Sequence, residues 1–261
     1  MNQITIGYLS WKRHSILDQT LHSHKINGLL EIVGNRFIYF QEICNNDVKI
    51  ANQYDCSYIG TSENVGILRA FISMIEHCTT EYFIFCENDW YLIEQEEKTR
   101  SILEDAIHLL NTQCDVVKLR HKIHHGVPLY SKPSDPNSFL KVDVSGFPYK
   151  LESLSWVDDP VSVYGNAIKE YIGNNKWYIT TLEHQRWSNN VFICKTASIK
   201  EKLIPLLKYY ISENDKYGAL EILLTNYKSY FGKSSELDTI LMNYSTILLA
   251  GGDGLFMHKD T

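Results

Sequence analysis

Apolar and polar positions in the first 120 residues alternate between two periods. Runs rich in β-branched and aromatic residues predict five short strands, in residues 3–9, 36–43, 56–60, 81–86 and 114–120. Between them, apolar residues recur three and four positions apart, which predicts helices in residues 16–33, 63–78 and 96–111. This alternation of strands and helices is typical of an α/β fold, in which helices flank a mostly parallel sheet.

The pattern changes after residue 120. Residues 121–180 contain five of the six prolines and little periodicity, which predicts a long irregular segment of the kind that is usually functional or mobile. Beyond it we predict a strand in residues 190–199, helices in 199–211 and 219–231, and a strand, glycine turn and polar tail in 247–261.

Composition narrows the class of protein. The 261 residues are 44% hydrophobic and 21% charged, which fits one large globular domain. The net charge of -6 provides no basic field that would attract nucleic acid, so we expect no nucleic-acid partner. No apolar run approaches the roughly 20 residues that a transmembrane helix needs, so we expect no transmembrane segment. The sequence leaves the oligomeric state open.

The six cysteines are scattered and form no CxxC pair. Five lie in apolar runs and are interpreted as reduced core residues: Cys56, Cys78, Cys86, Cys114 and Cys194. The N-terminus lacks the basic and apolar regions of a signal peptide. We therefore expect a cytoplasmic protein, in the host cytoplasm if the source is viral.

Two carboxylates follow the apolar strand of residues 81–86. Glu87 and Asp89 lie just past its end, and ligands of α/β proteins bind beyond the carboxyl ends of the strands. Two acids one residue apart can share Mg²⁺ or Mn²⁺ together with substrate phosphates. The alternative is a solvated acidic turn, but Trp90 directly afterwards favours a pocket wall.

The stretch "SENVGILRAFISMIEHCTTEYFIFCENDW" resembles the core of GT-A-fold glycosyltransferases, especially of family 2. Asn64, Gly66, Arg69 and Ala70 match an Asn-x-Gly before a helix that carries a basic residue and an alanine. Glu87-Asn88-Asp89 stands where that family has its DxD motif, with Glu for the first Asp. The segment "ITIGYLSWKR" is similar to the first strand and nucleotide-contacting turn, and "GGDGLFMHKD" resembles the tail of viral and bacterial members. The resemblance covers residues 3–120 and about the last ten.

The resemblance implies a Rossmann-like GT-A domain over residues 1–261. Residues 1–120 would form the nucleotide-sugar-binding half, and 121–261 the acceptor-binding half with a metal-binding tail. The implied activity is a metal-dependent hexosyl or pentosyl transfer, with inversion, from a nucleotide-diphosphate sugar to a hydroxyl of a glycan or glycoconjugate. A UDP-sugar is the preferred donor expectation, and Mn²⁺ or Mg²⁺ the cofactor.

The resemblance also implies roles for individual residues. The metal ligands would be Asp89, Glu87 and His258, whose imidazole favours Mn²⁺ over Mg²⁺. The nucleotide-sugar contacts would come from Ser10, Arg13, Glu42, Asn64, Gly66, Arg69, Glu87 and Asn88. The second-strand acid of the family is represented by Glu42, or by Asp47 further on.

An acceptor and a general base complete the expected site. Aromatic and amide groups that could stack on sugars and bind hydroxyls are Trp156, Trp187, Asn189 and Asn190. The base that deprotonates the acceptor hydroxyl is expected to be Glu221, then Asp215, then Asp158 or Asp159. Each of these acids could instead be a charge at the start of a helix.

Two other functions stay open. The chain could be a nucleotide-sugar-binding protein without catalysis, or a sugar nucleotidyltransferase, although "LSWKRHS" lacks the glycines of a nucleotidyltransferase loop. Zinc hydrolysis through His121, His124 and His125 is disfavoured, because no HExxH pattern or nearby cysteine supports it. The sequence contains no P-loop, GxGxxG or GxSxG motif.

Overall fold

The computed structural model describes residues 1–124, 159–165, 168–182, 187, 189–213 and 247–259. In this part of the chain a ten-stranded mixed sheet forms the centre of the molecule. Its strands are β1 (Ile4–Trp11), β2 (Asn35–Gln41), β3 (Ser57–Gly60), β4 (Tyr82–Glu87), β5 (Trp90–Leu92), β6 (Val116–Arg120), β7 (Lys169–Ile172), β8 (Lys176–Thr181), β9 (Phe192–Lys195) and β10 (Leu248–His258). The order is β3-β2-β1-β4-β9-β6-β10-β8-β7, with β5 paired to β10.

The first four strands of that order run parallel. β9 lies antiparallel between β4 and β6, and β10 is parallel to β6. The carboxyl ends of β1, β2 and β4 therefore meet at one edge. This arrangement confirms the α/β class expected from the alternating pattern.

Helices cover both faces of the sheet. They are α1 (His14–Ile26), α2 (Leu29–Ile32), α3 (Asn45–Gln53), α4 (Gly66–His77), α5 (Glu96–Thr112), α6 (Pro160–Tyr164), α7 (Thr196–Lys202) and α8 (Ile204–Glu213). The single helix expected in residues 16–33 is wrong. Gly28 has a φ of +80°, a left-handed conformation that ends α1 and starts α2. The helix expected in residues 219–231 lies outside the described residues.

The apolar core has two layers, one on each face of the sheet. Alternate side chains of β4 point to opposite layers: Ile84 joins the cluster beneath α1 and α5, whereas Phe83 and Phe85 join the cluster beneath α4 and α8. All three side chains are fully buried. Burial on both faces explains why β4 is a continuous apolar run, and it gives the residues after the strand a rigid base.

The C-terminal segment differs from the expected strand, glycine turn and tail. β10 is one strand that pairs with β8, β6 and β5 in turn. Its register against β6 shifts between Gly251 and Phe256, so the glycines form a bulge rather than a turn. Gly254 has a φ of +72°, and a Cβ there would lie 2.0 Å from the Arg120 carbonyl oxygen. Only glycine fits this close approach.

Part of the segment expected to be irregular is ordered. Between residues 159 and 182 the structure contains α6 and the hairpin of β7 and β8. Asp105 of α5 anchors the hairpin turn, because its carboxylate accepts hydrogen bonds from Asn174, Asn175 and Trp177. Burial alone would raise the pKa of Asp105, but the hydrogen bonds from Asn175 and Trp177 outweigh it and lower the pKa.

The cysteines behave as the sequence indicates. All six are free, and the five in apolar runs are buried, whereas Cys44 is exposed. No helix in the described ranges has the length and apolarity that crossing a bilayer requires.

Candidate functional site

A two-residue turn between β4 and β5 carries the acidic motif. Glu87 ends β4, Asn88 and Asp89 form the turn, and Trp90 begins β5. Asn88 and Asp89 are buried, with 5% and 8% of their surface exposed. The turn is therefore largely shielded from solvent at the carboxyl edge of the sheet, which disfavours a solvated acidic turn.

One face of α1 holds the backbone of this turn. The Thr20 hydroxyl donates to the Asn88 carbonyl at 2.7 Å, and His24 Nε2 contacts the Trp90 carbonyl at 2.9 Å. Ser23 and Asn27 bind the amide and carbonyl of Leu92. Positions 20, 23, 24 and 27 share one helical face, so α1 determines the path of the whole turn. The apolar pattern of the sequence does not reveal this polar stripe, whose only signal is the spacing of polar residues within an amphipathic helix.

His24 is the buried centre of that stripe. A carbonyl oxygen can only accept a hydrogen bond, so His24 Nε2 carries the proton and Nδ1 accepts from the Tyr8 hydroxyl at 2.7 Å. Burial lowers the pKa of His24 to about 4, and the hydrogen bond to the Trp90 carbonyl opposes this shift only in part. The imidazole is therefore neutral near pH 7.

Asp89 is the centre of the site. Its Oδ2 accepts from Arg13 Nη1 at 2.7 Å and lies 3.6 Å from His258 Nε2. Its Oδ1 is buried and has no hydrogen-bond partner among the residues that the structure describes. A buried carboxylate with one oxygen that has spare acceptor capacity and the other near an imidazole nitrogen is a donor set that suits a divalent cation. These residues therefore fit the metal that the sequence predicts.

The position of His258 is determined by strand pairing. His258 pairs with Trp90 in the antiparallel ladder of β5 and β10, and the Lys259 amide donates to the Asp89 carbonyl at 2.9 Å. Two of the three predicted metal ligands are thus brought together from positions 169 residues apart. Within the described ranges, Glu87 does not join Asp89 and His258 in a group whose donor atoms all lie within 4.8 Å of one another. Its place on the metal stays a prediction.

The predicted nucleotide contacts after β1 and β2 lie at the same edge. Ser10 is buried, and its hydroxyl accepts from Asn88 Nδ2 at 3.3 Å. Glu42 pairs with Lys12 and accepts from Trp11 Nε1 at 3.2 Å. The hydrogen bond from Lys12 is the main cause that lowers the pKa of Glu42.

The Asn-x-Gly motif forms the start of α4. Asn64 Oδ1 accepts from the Gly66 amide at 2.9 Å, and Gly66 has a φ of +78°. The motif therefore shapes the entry to the helix, a structural role beside the predicted contact with the donor. Arg69 is exposed on the first turns of α4.

A cation that the sequence analysis did not select flanks the site. Arg120 ends β6, and its guanidinium lies 5.2 Å from the centre of the Trp90 ring. Its Nη1 also contacts Asn190 Oδ1 at 3.5 Å, which links one predicted acceptor residue to the acidic turn. In the sequence, Arg120 is marked only as a charged residue at the end of an apolar strand.

Two other predicted acceptor residues, Trp187 and Asn189, are buried. Trp187 is only 2% exposed, packed against Phe71 and Phe192. The indole is part of the core, so it offers little surface to a sugar; its acceptor role stays a prediction. Trp156 lies outside the described residues.

The predicted general bases lie largely beyond the part of the chain that the structure describes. Glu221, Asp215 and Asp158 all fall there, and their roles stay predictions. Asp159 is described, and its side chain accepts from the Ser162 amide at 3.2 Å at the start of α6. That position matches the alternative of a charge at a helix start.

His121 was part of the zinc alternative, and both of its nitrogens have partners. Nδ1 accepts from the amides of Ile123 and His124, so Nε2 carries the proton and donates to Glu94 at 2.9 Å. An imidazole held in this way has no free lone pair for zinc.

Comparisons with known proteins identify the architecture. No family model and no curated protein sequence matches the chain. Among solved structures, S. aureus TarS 1–349 aligns with a TM-score of 0.53 at 13% identity, covering 98% of this chain and 60% of that one. The same fragment with UDP-GlcNAc aligns with a TM-score of 0.54 at 12% identity, covering 99% and 59%. The chain thus spans about three fifths of the TarS fragment. At this identity the likeness concerns the fold, and it confirms the one implied by the sequence: the chain has the GT-A fold.

Proposed function

We propose that the chain is a metal-dependent glycosyltransferase that moves a sugar from a nucleotide-diphosphate sugar to a hydroxyl of a glycan or glycoconjugate. One observation carries the proposal. At the carboxyl edge of a GT-A sheet, Asp89 presents a buried Oδ1 without a hydrogen-bond partner in the described part of the chain, while its Oδ2 lies beside His258 and Arg13. A cation and an arginine together are what a diphosphate requires.

The donor is proposed to be a UDP-sugar. Support comes from TarS 1–349, whose structures include complexes with UDP and UDP-GlcNAc. Ser10, Glu42, Asn64, Gly66, Arg69 and Asn88 are the remaining candidates for contacts with the nucleotide sugar. Arg13 would exchange its contact with Asp89 for the donor phosphates, because a guanidinium binds phosphate with two parallel hydrogen bonds.

Asp89 and His258 would hold the cation, with Glu87 turned toward the ribose or the donor sugar. The mixed oxygen and nitrogen donors favour Mn²⁺ over Mg²⁺. When bound, the cation stabilises the negative charge that develops on the diphosphate as the bond from the anomeric carbon breaks.

The proposed reaction is a single displacement with inversion. The acceptor oxygen bonds to the anomeric carbon from the face opposite the diphosphate, which leaves with the bonding electron pair. A base takes the hydroxyl proton, and Glu221, Asp215 and Asp158 are the candidates. Asn190 and Arg120 would border the acceptor, since Arg120 links Asn190 to the buried Trp90 ring next to the acidic turn. Transfer of a hexose or a pentose, by a single domain in the cytoplasm, belongs to the same proposal.

The test measures binding and turnover separately. The purified protein is mixed with UDP-, GDP- and dTDP-sugars, with and without Mn²⁺, and the melting temperature and nucleotide release are recorded. One donor class should raise the melting temperature in the presence of Mn²⁺, because ligands that bind the folded state stabilise it. Asp89→Asn should abolish the Mn²⁺-dependent response. Asp253→Asn is the control, because it neutralises a half-exposed carboxylate on β10, and it should preserve the response.

Three results would contradict the proposal. Mn²⁺-dependent turnover that survives in Asp89→Asn would remove the site from the mechanism. Donor binding without turnover on any acceptor would favour a nucleotide-sugar-binding protein. Release of pyrophosphate from a nucleoside triphosphate and a sugar phosphate would identify a nucleotidyltransferase.

A further inference from the structure

Three side chains with metal-binding atoms meet at the first turns of α1 and α3. His14 begins α1, Cys44 is the residue before α3, and Asp47 lies in the first turn of α3. His14 Nε2 is 2.9 Å from Asp47 Oδ1 and 3.5 Å from Cys44 Sγ. Each residue offers one ligand atom, and these three atoms lie within 4.8 Å of one another. No other group of three such donors occurs in the described ranges.

These distances are close to those of a tetrahedral zinc site. With bonds of about 2.3 Å to sulfur and about 2.1 Å to nitrogen and oxygen, neighbouring ligand atoms lie roughly 3.4–3.6 Å apart. The sulfur–nitrogen distance of 3.5 Å already matches. The nitrogen–oxygen distance of 2.9 Å would widen by about half an ångström, which rotation of the half-exposed His14 side chain can supply.

A hydrogen bond inside the cluster fixes the orientation of the Asp47 carboxylate. Asp47 Oδ2 accepts from the Cys44 amide at 2.8 Å, and this bond turns Oδ1 toward His14. The Asp47 side chain is only 4% exposed, whereas Cys44 is exposed and the His14 side chain is 33% exposed. A cation could thus enter from solvent and meet a carboxylate already held in place by an outer hydrogen bond.

Each member of the cluster also has a structural role, because His14 pairs with Asp47 and the Cys44 side chain joins Asp47 in a capping box at the start of α3. The capping box does not account for the contact between Cys44 and His14. Cys44 Sγ points at the same imidazole nitrogen as the carboxylate, so three donors converge on one point. A thiolate, a neutral imidazole and a carboxylate carry two negative charges, which one divalent cation neutralises. Sulfur and nitrogen donors select zinc over the magnesium or manganese expected at Asp89.

We propose that His14, Cys44 and Asp47 form a second metal site, of the zinc type, separate from the site at Asp89. Three protein ligands leave the fourth position open to water, which makes the metal exchangeable rather than permanently enclosed. The metal would join the turn after β1 to the turn after β2. Arg13 precedes His14 directly, and Glu42 lies two residues before Cys44, so the metal would stiffen the edge where both lie. The inference does not depend on the proposed activity.

Cobalt titration of the full-length protein tests this site directly. Co²⁺ bound by a thiolate shows a ligand-to-metal charge-transfer band, and we expect one such band to saturate at one equivalent and to disappear when Zn²⁺ is added. Cys44→Ser should abolish the band and weaken zinc binding by more than the roughly 10- to 100-fold that loss of an outer partner costs. His14→Asn should weaken binding similarly.

Two controls keep the test decisive. Serine is a preferred residue before a helix, so Cys44→Ser should retain the apo melting temperature, and its loss of the band will report on the metal. Asp89→Asn should keep the band, since that carboxylate belongs to the other site. The proposal is overturned if wild type shows no thiolate band, if the band persists in Cys44→Ser, or if Asp89→Asn removes it.

Discussion

Trp90 and His258 lie opposite each other in the ladder between β5 and β10, with their ring centres 4.8 Å apart. The pairing places the His258 imidazole 3.6 Å from Asp89 Oδ2. Main-chain hydrogen bonds, rather than a flexible tail, therefore bring the nitrogen donor to the acidic turn. The candidate metal site depends on the register of this short ladder.

Replacing His258 should raise the Mn²⁺ concentration that the reaction needs. For His258→Ala we expect the Mn²⁺ concentration for half-maximal donor hydrolysis to rise at least about tenfold, because one proposed ligand is lost. The measurement is a Mn²⁺ titration at saturating donor. His22→Ala removes an exposed histidine of α1 and should leave the titration unchanged. An unchanged titration in His258→Ala would exclude His258 as a ligand.

Replacing Arg13 should have opposite effects on metal and donor. The Arg13 side chain is 40% exposed, so its pair with Asp89 contributes about 0.2–1 kcal/mol, and Arg13→Ala should tighten Mn²⁺ binding up to about fivefold without donor. Donor binding with Mn²⁺ should weaken roughly 10- to 100-fold, because charge-assisted hydrogen bonds contribute about 1.5–3 kcal/mol.

Calorimetry of Arg13→Ala with Mn²⁺ alone and with Mn²⁺ plus donor separates the two effects. Arg13→Lys should be intermediate, since it keeps the charge but loses the planar fork. Arg100→Ala removes an exposed arginine of α5 and serves as the control. If Arg13→Ala weakens both equilibria equally, Arg13 stabilises the turn rather than binding the donor.

Buried His24 should make stability sensitive to acid. The unfolded chain takes up a proton near pH 6.5, but the folded chain does so only near pH 4, so stability is full above pH 6.5 and falls as the pH drops toward 4. Between pH 7 and pH 5 this group alone should remove about 2 kcal/mol from the free energy of unfolding.

Urea unfolding at the two pH values measures that loss. His24→Gln can still donate to the Trp90 carbonyl, and the difference between its two stabilities should be smaller than that of wild type by about 2 kcal/mol. His22→Gln, on the exposed side of the same helix, should retain the wild-type difference. Equal acid sensitivity in all three proteins would assign the effect to other groups.

Substitution of Gly254 should cost more stability than substitution of a glycine whose only obstacle is a positive φ. Gly254→Ala would place a methyl group 2.0 Å from the Arg120 carbonyl oxygen, in addition to the cost of a positive φ. Gly165→Ala is the matched control, because its φ is +52° and nothing lies within 4 Å of the added atom. Gly165 also has a ψ of -127°, outside the left-handed helical region, and such sparsely populated backbone costs about 1–3 kcal/mol, so denaturant unfolding should show a loss in that range for Gly165→Ala.

Gly254→Ala should lose clearly more stability than the control, and its Mn²⁺ requirement should rise, since the bulge positions His258. Equal stability losses in the two variants would mean that β10 shifts to absorb the methyl group at no cost.

The sequence predicted well those elements that depend on local pattern. The apolar run of residues 82–86 identified β4, because burial on both faces leaves no polar position in those five residues. The acidic turn followed from strand order, since the edge of a parallel sheet is a ligand site whatever its distant neighbours are.

What the sequence missed depends on partners that are far apart in the chain. β5 is three residues long and exists because β10 pairs with it. The role of His24 depends on the main-chain carbonyl of Trp90, 66 positions away, and that of Arg120 depends on the Trp90 ring. The glycines of β10 were assigned to a turn because a bulge and a turn have the same local composition, and only the strand alongside distinguishes them.

β10 also has a consequence for the order of synthesis. It pairs with β5, β6 and β8, all of which leave the ribosome earlier, and it carries the nitrogen donor of the acidic turn. Synthesis proceeds from the N-terminus, so the strands of the first half are available for pairing before β10 is. The half with β1 to β4 can therefore collapse first, while β5 and the acidic turn wait for their partner strand. If Asp89 and His258 hold the proposed cation, a nascent chain would lack the nitrogen donor of that site until β10 is in place.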